Sequence, residues 1–234
     1  MAGVLVVGGS RGLGAALVKA LSDRSSRNWV VSRSAPRFLQ DPEFRHIAWI
    51  RADLTEPKKS AAAVGEAVGD TPIGTLIYNA GIWERSPLGF IPAENLERIV
   101  NINLTSALTV VQTLLPNMRA IEGSTVVLIG SICGLENEGT QVAGYVSSKF
   151  GLRGLAHALR ESVRADWIRV VCISPGSMAT DLDFEDGVEA ALRKHNRSRI
   201  PVADIVALVR CVMNLSVATC VKEIIVPATS DAGA

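Results

Sequence analysis

Short apolar runs alternate along the chain with longer segments in which apolar residues recur at helical spacing. The first run, residues 4–7, is apolar at every position, which is typical of a strand in a parallel sheet that is covered on both faces. Such runs predict seven strands, at residues 4–7, 28–33, 46–52, 75–78, 124–129, 168–173 and 221–226.

Helical periodicity fills the intervals between these strands. Apolar residues after the first strand lie on one helical face: Leu13, Ala16, Leu17, Ala20 and Leu21. Thr55 and Pro57 predict the start of a helix that runs to about Gly69. Strands that alternate with helices predict an α/β fold, here a doubly wound Rossmann-like parallel sheet of about seven strands in the order 3-2-1-4-5-6-7, with helices on both faces.

A long helix is predicted from Pro92 to Met118. Its inward face, turned toward the sheet or a partner subunit, is predicted to hold Leu96, Ile99, Val100, Asn103, Leu104, Ala107, Leu108, Val111 and Leu115. The uncharged run 99–118 approaches the length of a membrane span, but its many polar residues and Pro116 favour a buried helix. Asn103 is the polar member of the face, and a structural amide bonded to the backbone is the alternative to a role in chemistry.

Two further helices are predicted in the second half, one from Ala143 and one from Pro201. Between them, residues 180–199 form a charged insert that is acidic at first and then basic, and we expect it to be a short lid. Its basic residues either meet an anionic substrate or form a solvated helix face. No repeat or linker interrupts the chain, so residues 1–234 are predicted to form one domain.

The composition is that of an ordinary globular protein. Of 234 residues, 48% are hydrophobic and 20% are charged, and the net charge is +1, which gives no indication of a nucleic-acid or membrane partner. Four cysteines without C-x-x-C spacing lie in apolar runs and are interpreted as reduced core residues. The N-terminus has no signal-peptide pattern, so a cytoplasmic location is expected. The three histidines match no metal or triad spacing, and no metal is predicted.

A glycine-rich turn joins the first strand to the first helix. It comprises Gly8, Ser10, Arg11, Gly12, Leu13 and Gly14. Glycines in a strand–turn–helix context let backbone N–H groups approach a pyrophosphate, whose charge the helix N-terminus favours. The turn therefore predicts a dinucleotide cofactor.

The end of the second strand is where this fold inspects the adenosine ribose. An NAD enzyme normally has an acidic residue there, whereas this chain has Ser32 and Arg33, with Arg11 in the glycine turn. Two guanidiniums and a hydroxyl suit a 2′-phosphate, so NADPH is favoured over NADH. Asp53 and Leu54 follow the third strand, where they are expected to contact adenine.

A Ser, a Tyr and a Lys form the candidate catalytic group. In a helix that starts at Ala143, Tyr145 and Lys149 lie one turn apart on one face. A nearby ammonium favours the phenolate, so we expect Lys149 to lower the pKa of Tyr145 and make it a proton donor. Ser131, at the end of the fifth strand, is placed to hydrogen-bond the oxygen of a carbonyl under reduction.

Together these motifs resemble the compact single-domain branch of the short-chain dehydrogenase/reductase family. The glycine spacing G-x-x-x-G-x-G and the trio of Ser131, Tyr145 and Lys149 match its pattern. So do Asn79-Ala80-Gly81, Asn103 in the long helix, and the P-G-x-x-x-T stretch with Pro175, Gly176, Met178 and Thr180.

The resemblance implies a role for each of these positions. Tyr145 gives its proton to the carbonyl oxygen, Lys149 also holds the nicotinamide ribose, and Ser131 orients the carbonyl. Asn103 holds a water that returns the proton through Lys149, and the Pro175–Thr180 stretch lies around the nicotinamide amide. The resemblance also implies a homodimer, possibly a tetramer, built on the helices that begin near Pro92 and Ala143.

Three positions depart from the family pattern. Val7 replaces a Thr and Tyr78 replaces an Asn or Asp, so local bracing differs at both places. The C-terminal segment lacks the family's glycine-rich ending, which weakens the inference of a tetramer.

The sequence thus predicts an NADPH-dependent oxidoreductase that reduces a ketone or aldehyde. Two alternatives remain open: an NAD-linked alcohol dehydrogenase that works oxidatively, and a non-catalytic NADPH-binding regulator on the same fold. The substrate pocket is expected near Trp83, residues 133–141 and the insert after Thr180.

Overall fold

In a computed structural model, which describes residues 3–135 and 141–230, one parallel sheet of seven strands runs through the protein. Its strands are β1 (Gly3–Val7), β2 (Asn28–Ser32), β3 (Ile47–Arg51), β4 (Ile73–Tyr78), β5 (Thr125–Ile129), β6 (Arg169–Pro175) and β9 (Glu223–Val226). Their order, β3-β2-β1-β4-β5-β6-β9, confirms the predicted doubly wound arrangement, with β9 as the seventh strand of the sheet.

In the described part of the chain, seven α-helices connect the strands and cover the sheet. They are α1 (Gly12–Leu21), α2 (Pro57–Val68), α3 (Ala93–Val100), α4 (Ser106–Arg119), α5 (Ala143–Val163), α6 (Gly187–Lys194) and α7 (Val202–Met213). Two hydrophobic cores result, one on each face of the sheet. In one core α2, α4 and α5 pack against the sheet, and in the other α1 and α7 pack against its opposite face. Successive apolar residues of a strand serve both cores, because their side chains point to opposite faces: Leu5 and Val7 of β1 lie in one core, and Val4 and Val6 lie in the other.

The long helix contains an irregularity that the sequence pattern did not predict. A π-helical turn, Asn101–Thr105, joins α3 to α4, and the N–H of Ser106 bonds to the carbonyl of Asn101, five residues back. The extra residue rotates the helix, so α4 buries Ser106, Ala107, Val110, Val111, Leu114 and Met118. Of the predicted face, which was to meet the sheet or a partner subunit, Ile99, Asn103, Ala107 and Val111 are buried in the chain, whereas Val100 and Leu108 are exposed.

The helix Ala93–Arg119 is long and apolar enough to cross a membrane by length and composition alone. Core helices of soluble proteins pass the same test. Here α4 and α2 pack against each other on the sheet, which agrees with the predicted buried helix.

The charged insert is anchored at both ends. A second sheet pairs β7 (Met178–Ala179) with β8 (Ile200–Pro201) in parallel, and neither strand was predicted. Between them lie a 3-10 turn, Phe184–Asp186, and α6. The insert therefore leaves and rejoins the fold at neighbouring points beside the end of β6.

All four cysteines are free thiols, as expected. The prediction that they lie in the core was wrong for Cys211 and Cys220, which are exposed. Cys211 lies on the outer side of α7, because Val209 and Val212 occupy the side that faces the sheet.

Candidate active site

The glycine turn after β1 has a backbone that side chains would disrupt. Gly8 and Gly12 have φ of +81° and +53°, in the left-handed region that favours glycine. A Cβ on Gly14 would lie 2.0 Å from the carbonyl oxygen of Gly8. Only glycine fits these positions of the turn. The turn places the N-terminus of α1 at the carboxyl-terminal edge of the sheet, where open α/β sheets bind ligands.

A cavity of about 770 Å³ opens beside this turn. It is large enough for part of a dinucleotide. Five predicted cofactor-binding residues line it: Ser10, Arg11, Gly12, Arg33 and Thr180. The stripped glycine turn, the helix N-terminus and the exposed guanidiniums fit the phosphates of such a cofactor.

Ser32 lies at the end of β2, as predicted, but it does not line the described cavity, so its contact with a cofactor stays a prediction. Its side chain is buried, donates a hydrogen bond to the carbonyl of Ser34 at 2.8 Å and accepts one from the indole N–H of Trp49 at 3.1 Å. Ser34 lines the cavity in its place. All five residues of β2 are buried, so exposure begins only at Arg33, after the strand, and the sequence pattern did not mark that boundary.

Three polar or charged residues that line the described cavity outside the insert were not predicted from the sequence. Arg37 and Ser34 follow β2, and Lys19 lies on α1. Arg37 adds a third guanidinium beside Arg11 and Arg33. Its position four residues after Arg33 was the signal that could have identified it.

The segment that ends β3 is tied into the fold by Asp53 and Leu54. The Asp53 carboxylate accepts hydrogen bonds from the N–H and hydroxyl of Thr55, at 3.1 and 2.9 Å. The bond from the Thr55 N–H is the main reason that the pKa of Asp53 is lowered. The carbonyl of Leu54 accepts from Ser106 on α4 at 2.8 Å. Neither residue lines the described cavity, so their contact with adenine stays a prediction.

Asn79, Ala80 and Gly81 link the glycine turn to the candidate catalytic lysine. The Asn79 amide donates to the carbonyl of Gly8 at 2.9 Å, and a Cβ on Gly8 would lie 2.6 Å from the Cα of Ala80. A Cβ on Gly81 would lie 3.4 Å from Nζ of Lys149. The two halves of the proposed site are therefore adjacent.

The candidate catalytic trio comes together from β5 and α5. Ser131 follows β5 and is buried, and its hydroxyl hydrogen-bonds to the phenol of Tyr145. The ammonium of Lys149, one helical turn beyond Tyr145, lies 5.7 Å from the centroid of that ring. This is the juxtaposition that the spacing of the three residues predicts.

The electrostatics of the trio differ from the prediction. Burial raises the pKa of Tyr145, and the hydrogen bond from Ser131 only partly offsets that rise. Burial also lowers the pKa of Lys149 from 10.5 to about 8. The predicted lowering of the tyrosine pKa by Lys149 is absent, since the ammonium donates to the carbonyl of Ile129 at 2.8 Å and not to the phenol.

Asn103 lies in the π turn and is fully buried. Its amide oxygen accepts from the N–H of Ile82 at 2.8 Å, and its amide nitrogen donates to the carbonyl of Ile82 at 3.0 Å. The same nitrogen donates to the hydroxyl of Ser148 at 2.9 Å. Asn103 thus fixes the loop after β4 to the helix that carries Tyr145 and Lys149. This bonding corresponds to the structural alternative, and the role in holding a water stays a prediction.

Tyr78 explains one departure from the family pattern. It is fully buried at the end of β4, and its hydroxyl donates to the carbonyl of Ile102 at 2.5 Å. Burial raises the pKa of this phenol far above its usual value, so it remains a donor. Tyr78 therefore stabilises the π turn through a hydrogen bond to the residue that precedes Asn103.

The stretch from Pro175 to Thr180 runs from β6 toward the glycine turn. The N–H of Gly176 donates to the carbonyl of Val226 at 2.8 Å, and that of Thr180 donates to the carbonyl of Met178 at 3.1 Å. A Cβ on Gly12 would lie 3.1 Å from that of Thr180. Thr180 thus reaches the predicted phosphate site.

Ion pairs hold the insert near the cavity. Glu185 pairs with Lys19 of α1 at 2.9 Å. Asp181 pairs with Lys194 and with His195, at 3.1 and 2.9 Å. The hydrogen bond from Lys194 is the main reason that the pKa of Asp181 falls to about 2. Part of the predicted substrate wall, residues 136–140, lies outside the described residues.

A model of the family described as short chain dehydrogenase matches residues 2–189. The chain belongs to the short-chain dehydrogenase family. A 3-dehydrosphinganine reductase of Arabidopsis thaliana is 30% identical over 200 residues, which are 82% of this chain and 58% of the reductase. A rhamnolipid-biosynthesis 3-oxoacyl-(acyl-carrier-protein) reductase of Pseudomonas aeruginosa is 31% identical over 183 residues, or 74% of this chain and 71% of that protein.

Solved structures of short-chain dehydrogenases share the fold. An alcohol dehydrogenase from the archaeon Thermococcus sibiricus, complexed with 5-hydroxy-NADP, superimposes with a TM-score of 0.83 at 18% identity and covers 100% of this chain and 99% of its own. The Pseudomonas aeruginosa RhlG/NADP complex has a TM-score of 0.80 at 24% identity and covers 97% and 94%. Membership of the family makes this chain an NAD(P)-dependent oxidoreductase that acts on CH-OH or C=O groups.

Proposed function

We propose that the protein reduces a ketone or aldehyde to an alcohol with NADPH. The observation that carries the proposal is the meeting of Ser131, Tyr145 and Lys149 beside Gly81, within reach of the glycine turn. A hydroxyl, a phenol and an ammonium at the carboxyl-terminal edge of a parallel sheet form a proton-donating site next to a dinucleotide site.

The residues divide the work as follows. The glycine turn, Arg11, Arg33 and the Thr180 stretch would hold NADPH, which would supply the hydride when bound. Ser131 hydrogen-bonds the carbonyl oxygen of the substrate and polarises it. Tyr145 gives its phenolic proton to that oxygen as the C=O bond becomes C–OH. Lys149 stabilises the phenolate that remains, and at neutral pH its ammonium is still protonated, since its pKa is about 8.

The charges of the cavity support NADPH over NADH. Three guanidiniums, those of Arg11, Arg33 and Arg37, line its wall after β2 and at the glycine turn. No carboxylate occupies the end of β2, where an NAD enzyme would bind the ribose 2′-hydroxyl. Two structural neighbours with NADP or a derivative in their descriptions agree with this preference.

The names of the relatives support the reductive direction. A 3-dehydrosphinganine reductase and several 3-oxoacyl-(acyl-carrier-protein) reductases are among them. A probable galactose dehydrogenase of Rhizobium meliloti, 31% identical over 191 residues, represents the oxidative alternative.

The test is NADPH oxidation, followed at 340 nm, with a panel of ketones and aldehydes. Tyr145→Phe is expected to reduce kcat by at least about 100-fold, since it removes the proton donor, while the Kd for NADPH stays within about twofold. Arg33→Asp is expected to weaken NADPH binding and to narrow the preference over NADH. Turnover that persists in Tyr145→Phe would overturn the assigned proton donor, and binding of NADPH without turnover of any carbonyl would favour the regulator.

A further inference from the structure

Trp83 lies beside the proposed proton donor. Its ring centroid is 6.3 Å from that of Tyr145, and the two planes are inclined at 46°. Its position is fixed by the preceding residue, because both backbone groups of Ile82 are hydrogen-bonded to Asn103. The indole is thus held next to the catalytic phenol by the same amide that anchors the loop after β4.

The fold makes little use of this indole. Trp83 is 57% exposed, although a tryptophan stabilises a fold chiefly through the apolar area that it buries. An exposed aromatic side chain at the edge of a polar catalytic site provides an apolar wall for a ligand.

Arg85 adds a charge to the same wall. Its guanidinium carbon lies 5.2 Å from the centroid of the Trp83 ring, a cation–π contact. Within residues 3–135 and 141–230, Arg85 forms no ion pair, and its neighbour Glu84 instead accepts from the hydroxyl of Ser86 at 3.3 Å. A guanidinium held in place without a carboxylate partner is suited to bind an anionic group.

We infer that Trp83 and Arg85 select the substrate: a carbonyl compound with a planar apolar group next to the carbonyl and a carboxylate farther away. The carbonyl lies between Ser131 and Tyr145, the planar group lies against the indole of Trp83, and the carboxylate pairs with Arg85. This inference rests on the proposed function for the placement of the carbonyl, and it adds the chemical class of the substrate.

The experiment compares matched carbonyl compounds. Aromatic character is tested with acetophenone against 2-butanone, and charge is tested with 4-acetylbenzoate against 4-acetylbenzamide. The wild-type protein is expected to prefer acetophenone and 4-acetylbenzoate in kcat/KM. Trp83→Leu is expected to lower kcat/KM for both aromatic acids and aromatic ketones by about tenfold or more, and for 2-butanone by less than about threefold, as loss of an apolar wall predicts. Trp83→Phe is expected to restore much of the difference.

Arg85→Gln should remove the preference for 4-acetylbenzoate over 4-acetylbenzamide and leave acetophenone unaffected. Trp167→Leu and Arg164→Gln are matched controls, since both side chains are exposed near the amino-terminal edge of the sheet, away from the trio. Neither control is expected to change any of the four rates by more than about twofold.

Calorimetry of 4-acetylbenzoate with the NADP⁺-saturated protein provides a readout that does not need turnover. Weaker binding in Trp83→Leu and Arg85→Gln supports the inference. An unchanged preference in both variants, or a wild-type protein that neither binds nor reduces the aromatic acid, overturns it. If the acid binds through Trp83 and Arg85 but no carbonyl is reduced, the binding site stands and the proposed reductase activity fails.

Discussion

Lys149 destabilises the folded protein and is also a residue of the proposed catalytic site. Its ammonium is buried, with the carbonyl of Ile129 as its hydrogen-bond acceptor and no carboxylate in an ion pair with it within the described residues. Burial lowers its pKa from 10.5 to about 8, so the folded protein loses this proton more easily than the unfolded chain. Below pH 8 the residue therefore destabilises the fold, and that penalty disappears as the pH rises from 8 to 10.5.

We accordingly predict that Lys149→Met makes the protein more stable at pH 7, by about 1–3 kcal/mol in the free energy of unfolding, while it abolishes carbonyl reduction. The gain over the wild-type protein should shrink as the pH approaches 10, because the wild-type lysine is then neutral. Urea denaturation at both pH values measures it. Lys58→Met, at an exposed position of α2, is the control, and a gain that is equal at pH 7 and pH 10 would contradict the explanation.

Residue identity and spacing were enough to locate most of the site. The glycine turn, Asn79-Ala80-Gly81 and the trio were predicted, because short spacings within one turn or one helix fix the relative positions of these residues. The direction of the shift in the pKa of Tyr145 was predicted wrongly, and the burial of Ser32 was not foreseen. Strand register at the end of β2 and the direction of the Lys149 side chain depend on packing from distant segments, which local patterns do not contain.

At the scale of elements, the π turn was the principal feature that the sequence analysis missed. Regular 3.6-residue spacing placed Val100 and Leu108 on one face with the buried residues of this helix. The extra residue at Asn101–Thr105 interrupts that spacing, and both side chains are exposed. A single inserted residue leaves the apolar composition of a helix unchanged, so the pattern alone could not reveal it. Such turns often occur at functional sites, and this one carries Asn103.

Tyr78 should be important for the stability of that turn. We predict that Tyr78→Phe lowers the free energy of unfolding by about 1–3 kcal/mol, since the buried carbonyl of Ile102 loses its phenolic donor. Amide hydrogen exchange in residues 101–106 should become faster. Denaturant unfolding and exchange mass spectrometry provide the measurements.

The chain contains a matched control for this change. Its other tyrosine, Tyr145, lies on α5 with its phenol next to Ser131, so Tyr145→Phe should leave the amide exchange of residues 101–106 nearly unchanged. Equal effects of the two substitutions would argue against a specific brace at Tyr78.

At the scale of the whole molecule, exposed apolar side chains on the helices of one face indicate an interface. Val100 of α3, Leu108 of α4 and Phe150 of α5 are 37%, 44% and 41% exposed. Helices α3 and α5 contact each other, so these residues belong to one side of the fold. The homodimer expected through the same helices stays a prediction, and these side chains are where it can be tested.

We predict that the protein is a dimer at micromolar concentration and that Leu108→Glu shifts it to monomers, because a buried unpaired carboxylate opposes association. Sedimentation velocity over a range of concentrations gives the dissociation constant. Val188→Glu introduces the same carboxylate at an exposed apolar residue of α6, and it should leave the dissociation constant of the dimer unaltered. A wild-type monomer, or a Leu108→Glu dimer of undiminished affinity, would place the interface elsewhere.

The pairing of Met178–Ala179 with Ile200–Pro201 has a consequence for how this scaffold can change. Because both ends of the insert are pinned side by side, the residues between them form an exchangeable cassette, and its length adds little to the entropy of closing it. Replacing 181–199 with segments of other lengths should reshape the mouth of the cleft while the sheet beneath folds as before. The activity of this fold can thus diversify by replacement of this one segment, while the packing of the central sheet stays the same.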